Sequence, residues 1–267
     1  MSPKPPAALV FAASDPVCGA GIQADILTLS ALGCQPLTVV TALTAQDTTG
    51  VHTLLPVSAD FVRRQASSLI EDIPIAAIKI GLLGCADHAR IAAGVAMQLN
   101  VPLVLDPVLA SGRGDMLADD SLREALLDAL LPHTDLVTPN IPEAHALFPE
   151  MPPDAPLPQL AQRMIERGAR HVLITGAHAS IPEVINTLYG AEGKIRADHW
   201  PRLSNSYHGS GCTLASAVAA FLARGYSMEA AVYEAQCYVS QTLRHAHHPG
   251  RGQAIPNRLF ALKDHLP

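Results

Sequence analysis

Short strands and helices in near-regular alternation predict an α/β protein, with a mostly parallel central sheet covered by helices on both faces. The opening strengthens this: an apolar strand, a glycine loop and a helix follow one another, as in ligand-binding α/β units. Size agrees. The chain has 267 residues and 49% hydrophobic content, enough to bury a full core, and the alternation continues to the end. We therefore expect one domain over residues 1–267.

The elements follow in order. Leu9–Ala13 reads as the first strand. Ser14–Gly21 is a turn, and Ile22–Leu32 a helix ended by Gly33. Asp25 is placed in that helix's first turn, where it serves either the helix dipole or a ligand above the loop. Pro36–Leu43 is a Val/Leu/Thr strand, leading into a polar loop, Thr44–Gly50; Val51–Val57 can return as a short strand. Gln46 in that loop carries both donor and acceptors, which suits a heteroaromatic ring edge. Ser58–Ile70 is an amphipathic helix with Ser58 as N-cap. Ala76–Ile80 is a buried strand, Asp87–Leu99 a helix and Pro102–Leu105 a strand. Asp106-Pro107-Val108 follows at that strand's carboxyl end, where open α/β sheets place ligands.

Ala110–Asp115 reads as a flap, with Arg113 either solvated or reaching a phosphate. Ser121 and Glu124 form a capping box before Ala125–Leu131. After the short strand Leu136-Val137, Asn140 and Glu143 share one face of a helix start; they are a cap and its first-turn partner, or holders of a hydrated Mg²⁺. Gln159–Gly168 is a helix, and His171–Ile174 a strand closed by Thr175-Gly176. Glu183–Tyr189 and Lys194–His199 form a hairpin at the sheet edge. Helices Thr213–Arg224 and Met228–His245 complete the pattern.

The chemistry concentrates at Tyr207–Ala217. Gly209, Ser210 and Gly211 can present successive backbone N–H groups, and the following helix adds its own unpaired N–H groups and positive dipole end. That is an anion site suited to a phosphoryl group. Cys212 lies in its field, which favours a thiolate; as a bare pattern, Gly-x-Gly followed by Cys is also an ordinary tight turn with a small core residue.

Net charge of −6 with no long basic run, a pI near 6.0 and 4% aromatics give no support to nucleic-acid or anionic-membrane binding. Five scattered cysteines without Cys-x-x-Cys fit a reducing cytoplasm. The glycine loop is not Gly-x-Gly-x-x-Gly and no Gly-Lys-Ser/Thr follows, which counts against Rossmann and P-loop sites.

With these landmarks in order, nearly the whole chain resembles the hydroxymethylpyrimidine and phosphomethylpyrimidine kinases of thiamine biosynthesis. The resemblance rests on Ser14-Asp15-Pro16 with Gly19–Asp25, Thr41–Gln46, Lys79–Leu82, Asp106-Pro107-Val108, Thr138–Ala144 and His208–Thr213. It implies a ribokinase-like three-layer sandwich and a phosphotransferase that uses ATP and Mg²⁺, with K⁺ a further candidate ion. It also implies a small-molecule pyrimidine substrate, a homodimer and a cytoplasmic location. Asp25 and Gln46 would bond the aminopyrimidine, and Ala13, Thr44, Leu82 and Val108 would line its pocket. Gly209, Ser210 and Gly211 would hold the transferring group, with Cys212 in the base position. Asn140, Thr175 and Gly176 would serve the nucleotide, and Glu143 and Asp106 the metal.

The chain departs from the family in three places. Val17-Cys18 stand where a small residue and Gly are usual, and Leu82 where Met is often found. Thr175 replaces a Lys that bridges phosphates, so Arg113 or Lys79 is expected to compensate. Two rivals remain: a pyridoxine or pyridoxal kinase of the same superfamily, and a transferase with Cys212 as nucleophile.

Overall fold

In the computed structural model, which describes residues 4–110, 117–177, 179 and 182–265, the strands are β1 (Ala7–Ser14), β2 (Gln35–Asp47), β3 (Gly50–Pro56), β4 (Ile75–Ile80), β5 (Leu103–Leu105), β6 (Leu136–Val137), β7 (His171–Ile174), β8 (Glu183–Gly190) and β9 (Gly193–Pro201). They form one sheet in the order β3-β2-β1-β4-β5-β6-β7-β8-β9. Strands β2, β1, β4, β5, β6 and β7 run parallel, and β3, β8 and β9 are antiparallel hairpin strands at the two edges.

The helices are α1 (Gly21–Ala31), α2 (Ala59–Asp72), α3 (Ala86–Leu99), α4 (Asp120–Ala125), α5 (Ile141–Ala146), α6 (Leu157–Glu166), α7 (Ser210–Ala223) and α8 (Met228–Arg244). The period-2 alternation of the strands sorts them into two layers. Leu9 and Phe11 of β1 face a core shared with α2, α3, α4 and α6. Ala8, Val10 and Ala12 face α1 and α7. Val104, Leu136 and Leu173 continue that second face under α7 and α8. Fully burying a side chain such as Leu9 or Phe11 contributes roughly 1.5–3 kcal/mol.

The same alternation explains an apparent anomaly. Ile78 and Ile80 of β4 join the first core, so Lys79 between them must point at α1 and α7. There it is fully buried.

From β1 the chain passes outward to β2, then returns across β1 to β4. The crevice above the carboxyl ends of β1 and β4 is thus the topological switch point, where doubly wound sheets bind ligands.

Three local expectations change. Thr44–Asp47 is strand rather than loop, because it pairs with β3 from Thr44↔Leu54 to Asp47↔Gly50. The cap of α4 is Asp119, whose carboxylate accepts the Leu122 N–H at 2.8 Å; Ser121 lies inside the helix. Helix α7 starts three residues early, at Ser210, and that shift matters for the site.

Candidate active site

Two loops meet at the switch point. The first follows β1 and is organised by Asp15. Its carboxylate accepts the N–H groups of Val17 at 2.8 Å, Gly19 at 3.0 Å and Ala20 at 2.7 Å. His208, from the loop before α7, places Nε2 at 2.9 Å from the same carboxylate. Burial alone would raise the Asp15 carboxyl, but His208, Gln46 and the loop amides outweigh it and hold it at about 2. Asp15 is therefore an acceptor at neutral pH, and His208 Nε2 must carry the proton it donates. The loops touch so closely that a Cβ on Gly209, which has φ +82°, would overlap the Gly19 carbonyl. Only glycine fits there.

Gly209 is the N-cap of α7, and Ser210 and Gly211 are its first residues. The first intrahelical bond runs from the Thr213 N–H to the Gly209 carbonyl at 3.0 Å. The N–H groups of Ser210, Gly211 and Cys212 precede it and need partners from outside the helix. The expected anion row thus belongs to the helix itself, not to a separate loop.

Cys212 is half-buried, with its sulfur in the less accessible part. Burial pushes the thiol up to about 12; Lys79 opposes this, and Asp106 and Asp25 add to it. This corrects the expected thiolate. The helix N-terminus favours the anion, but burial beside two carboxylates wins, so the resting group is S–H.

Asp25 is corrected too. It is fully buried in the second turn of α1, not the first. Lys79 Nζ contacts both its oxygens, at 2.9 and 3.0 Å, and Ser216 of α7 donates to it at 2.6 Å. Asp25 therefore ties α1, β4 and α7 together beneath the site instead of reaching over the loop. Burial alone would lower the Lys79 ammonium, yet Asp25 and its neighbours raise it above the usual lysine range. Enclosed in this way, Lys79 does not reach substrate, so it does not compensate for Thr175. Arg113 lies outside the described residues.

A second charged pair is of the opposite kind. Asp106 follows β5, faces the start of α7, and is buried; a Cβ on Gly211 would stand 3.8 Å from its Oδ1. Its Oδ2 is buried without a hydrogen-bond partner. Burial raises the Asp106 carboxyl and Lys79 only partly offsets that. Glu143 is pushed up to about 8, by burial first and then by Asp106, against the Asn140 N–H. Asn140 and Glu143 form a reciprocal capping box on α5, with both bonds at 2.9 Å. One Glu143 oxygen, Oε2, takes the cap. Two like-charged carboxylates, one with an orphaned oxygen, fit a cation that neutralises both. Among the described residues no group of three or more His, Cys, Asp or Glu is placed to hold a metal ion. A pair this sparse fits Mg²⁺ completed by phosphate oxygens and water.

The remaining residues line the carboxyl edge. Ala13 is at the end of β1, Thr44 on β2, Leu82 after β4 and Val108 after β5, so the four stand on adjacent strands. Thr44 Oγ1 donates to the Ser14 carbonyl at 2.8 Å, and Gln46 turns toward Asp15. At the other end Thr175 bridges to Asn140. The Gly176 N–H donates to Asn186 at 3.0 Å, within a buried Asn186–Gln236–Asp198 network. The residues expected on the pyrimidine side and those expected on the nucleotide side thus stand on different strands of the carboxyl edge.

Sequence reasoning missed Arg258, Ser216 and the Asp15–His208 link. Each joins segments more than 40 residues apart, and no local spacing marks them.

A doubly wound sheet with edge hairpins and the start of α7 beside its switch point is the architecture of the ribokinase-like small-molecule kinases. The family model for phosphomethylpyrimidine kinase matches residues 15–257, and the chain belongs to that family. It is 39% identical over 241 residues to the hydroxymethylpyrimidine/phosphomethylpyrimidine kinase of Streptomyces coelicolor, covering 88% of each chain. It is 36% identical to a bifunctional thiamine biosynthesis protein of Geobacter sulfurreducens, where 96% of this chain spans 53%, about half, of the relative. The structure of Staphylococcus aureus pyridoxal kinase with AMP-PCP and pyridoxal superposes with a TM-score of 0.86 at 27% identity, covering 95% of this chain and 94% of that one. The chain is thus a phosphotransferase that uses ATP.

Proposed function

We propose that the protein transfers the ATP γ-phosphoryl group to the hydroxymethyl group of 4-amino-5-hydroxymethyl-2-methylpyrimidine, and then to the resulting monophosphate, for thiamine biosynthesis. The observation that carries this reading is the open amide row of Ser210, Gly211 and Cys212, set between the β2–β1–β4–β5 edge and the Asp106–Glu143 pair. The row receives the charge that builds on the transferring group, and it is organised before substrate arrives. Ala13, Thr44, Leu82 and Val108 hold the ring, with Gln46 at its polar edge; Asn140, Thr175 and Gly176 face the nucleotide. Asp106 and Glu143 would hold Mg²⁺, which when bound neutralises phosphate charge. Cys212 lies at the junction, and only its thiolate, a minor form beside the resting S–H, would take the alcohol proton as the oxygen attacks, returning to the thiol. The second step begins from a phosphate monoester and needs no such base.

An ATP-consumption assay with hydroxymethylpyrimidine, its monophosphate and pyridoxal side by side tests the reading. Turnover should favour the first two. A higher kcat/KM for pyridoxal would transfer the assignment to the vitamin B6 kinases, and a covalent thioester without ATP use would support the cysteine-nucleophile rival.

The family resemblance also supports one kinase domain and a homodimer, the latter read by sedimentation equilibrium at about twice the 28.1 kDa chain mass. Cysteine usage supports a cytoplasmic location. Among the described residues no helix is long and apolar enough to cross a membrane.

A further inference from the structure

Arg258 comes from the C-terminal segment and is almost fully buried. Its guanidinium reaches both active-site loops at once. Nε donates to Thr213 Oγ1 at 3.0 Å, Nη1 to the Cys18 carbonyl at 3.3 Å, and Nη2 to the carbonyls of Gly19 and of Gly209, the latter at 3.3 Å. Among the described residues it forms no ion pair with a carboxylate. Its N–H groups go to neutral oxygens, and Asp25 and Asp15 act on its charge only at longer range.

The bonding pattern says what the arginine does to the loops. In a trans peptide the C=O and the following N–H point in opposite directions. Arg258 draws in the Cys18 and Gly19 carbonyls, and the N–H groups that follow, of Gly19 and Ala20, donate to Asp15 on the far side. At Gly209 the carbonyl takes the Thr213 N–H at 3.0 Å and Oγ1 at 2.7 Å, and Arg258 adds a bond at 3.3 Å to this carbonyl and one at 3.0 Å to the hydroxyl that holds it, fixing the peptide whose Ser210 N–H faces outward. The segment is fixed in place to do this. Tyr238 of α8 donates to the Arg258 carbonyl at 2.7 Å, and Ala254 pairs with the His208 N–H at 2.9 Å.

We propose that Arg258 is a positioning residue for phosphoryl transfer: it locks the glycine loop against the start of α7, so that the Ser210 amide stays aimed at the transferring group, and sets a buried positive charge beside the first turn of α7. This rests on the kinase reading above and assigns a residue of that same site.

The test uses the full chain with Arg258→Gln and Arg258→Lys. It reads kcat, the pyrimidine KM, and the affinity for Mg²⁺·ADP with and without aluminium fluoride, a mimic of the planar phosphoryl group. Arg258→Gln should lower kcat about 100-fold and weaken the fluoride complex by a similar factor. Mg²⁺·ADP affinity and the pyrimidine KM should stay within about threefold. Arg258→Lys keeps the charge but loses the fork, and should fall about 10-fold on both affected readings. A structural role alone would not separate the fluoride complex from Mg²⁺·ADP. The proposal is overturned if both variants hold kcat and fluoride affinity within about threefold of wild type, or if the loss falls on the pyrimidine KM instead. If Arg258→Gln shows no cooperative melt, Arg258→Lys decides on the same readings. A wild-type chain inactive on the pyrimidine would sink the kinase reading alone, because the fluoride affinity reports on Arg258 whichever alcohol is the acceptor.

Discussion

Two buried charge clusters, one beneath the site and one at the carboxyl edge, are built to opposite rules. In Asp25–Lys79–Ser216 a carboxylate meets an ammonium and a hydroxyl, both at hydrogen-bonding distance. In Asp106–Glu143 two carboxylates repel, one oxygen has no partner, and Glu143 is pushed up to about 8. The first is complete in the folded chain and holds elements together. The second leaves a buried oxygen unpaired, and two carboxyls perturbed in this way are what a proposed cation site would need. Burial and charge are common to both; the state of the partners tells them apart.

The largest expected effect breaks the closed cluster. Lys79→Met leaves Asp25 buried without its cation and should cost about 3–5 kcal/mol in urea unfolding. Adding Asp25→Leu should recover most of that, since an apolar pair of similar volume has no stranded charge. A double variant no better than the single would show that the pair does more than satisfy itself.

The open cluster should respond the other way. Asp106→Asn is expected to lower kcat by about 100-fold or more while leaving the ligand-free protein at least as stable as wild type. For Glu143 the sign follows from its raised pKa. The folded state holds its proton more tightly than the unfolded state, so its contribution to stability falls as pH rises from the ordinary glutamate value of 4.5 toward about 8. Glu143→Gln should abolish that part of the slope in thermal melts and raise the melting temperature most at pH 8. An unchanged slope would mean that Glu143 is not strained by its neighbour.

Smaller effects refine the picture. A base matched to neutral pH contributes more than a thiol at about 12, so Cys212→Ala should slow the first phosphorylation only about 10-fold and the second less. Equal losses in both steps would remove Cys212 as the base. The smallest effect is at Cys18, a non-glycine residue at φ +59° where the family usually has Gly. Cys18→Gly should relieve left-handed strain and stabilise by roughly 0.5–1 kcal/mol; a loss of stability would show that the side chain matters there.

Much of this was legible in the sequence because it is local. Periodicity located the strands and helices, and Gly209 and Gly211 marked a helix start. Ser58 was readable as a cap. What was not legible depended on partners distant in the chain. Asp25 looked like a ligand because its α1 position says nothing of Lys79, 54 residues away. Cys212 looked activated because the helix start is visible in sequence, whereas Asp106 and the burial of the sulfur are not. Thr44–Asp47 looked like a loop because polar residues on a two-stranded ribbon carry no burial signal.

The most direct test of the contrast is calorimetry of ADP binding with Mg²⁺ and with EDTA, for wild type, Asp106→Asn and Glu143→Gln. If the open pair holds the cation, Mg²⁺ should tighten ADP binding to wild type by about 10-fold or more. Both variants should lose that increment while still binding metal-free ADP. An increment of the same size in all three proteins would contradict the account.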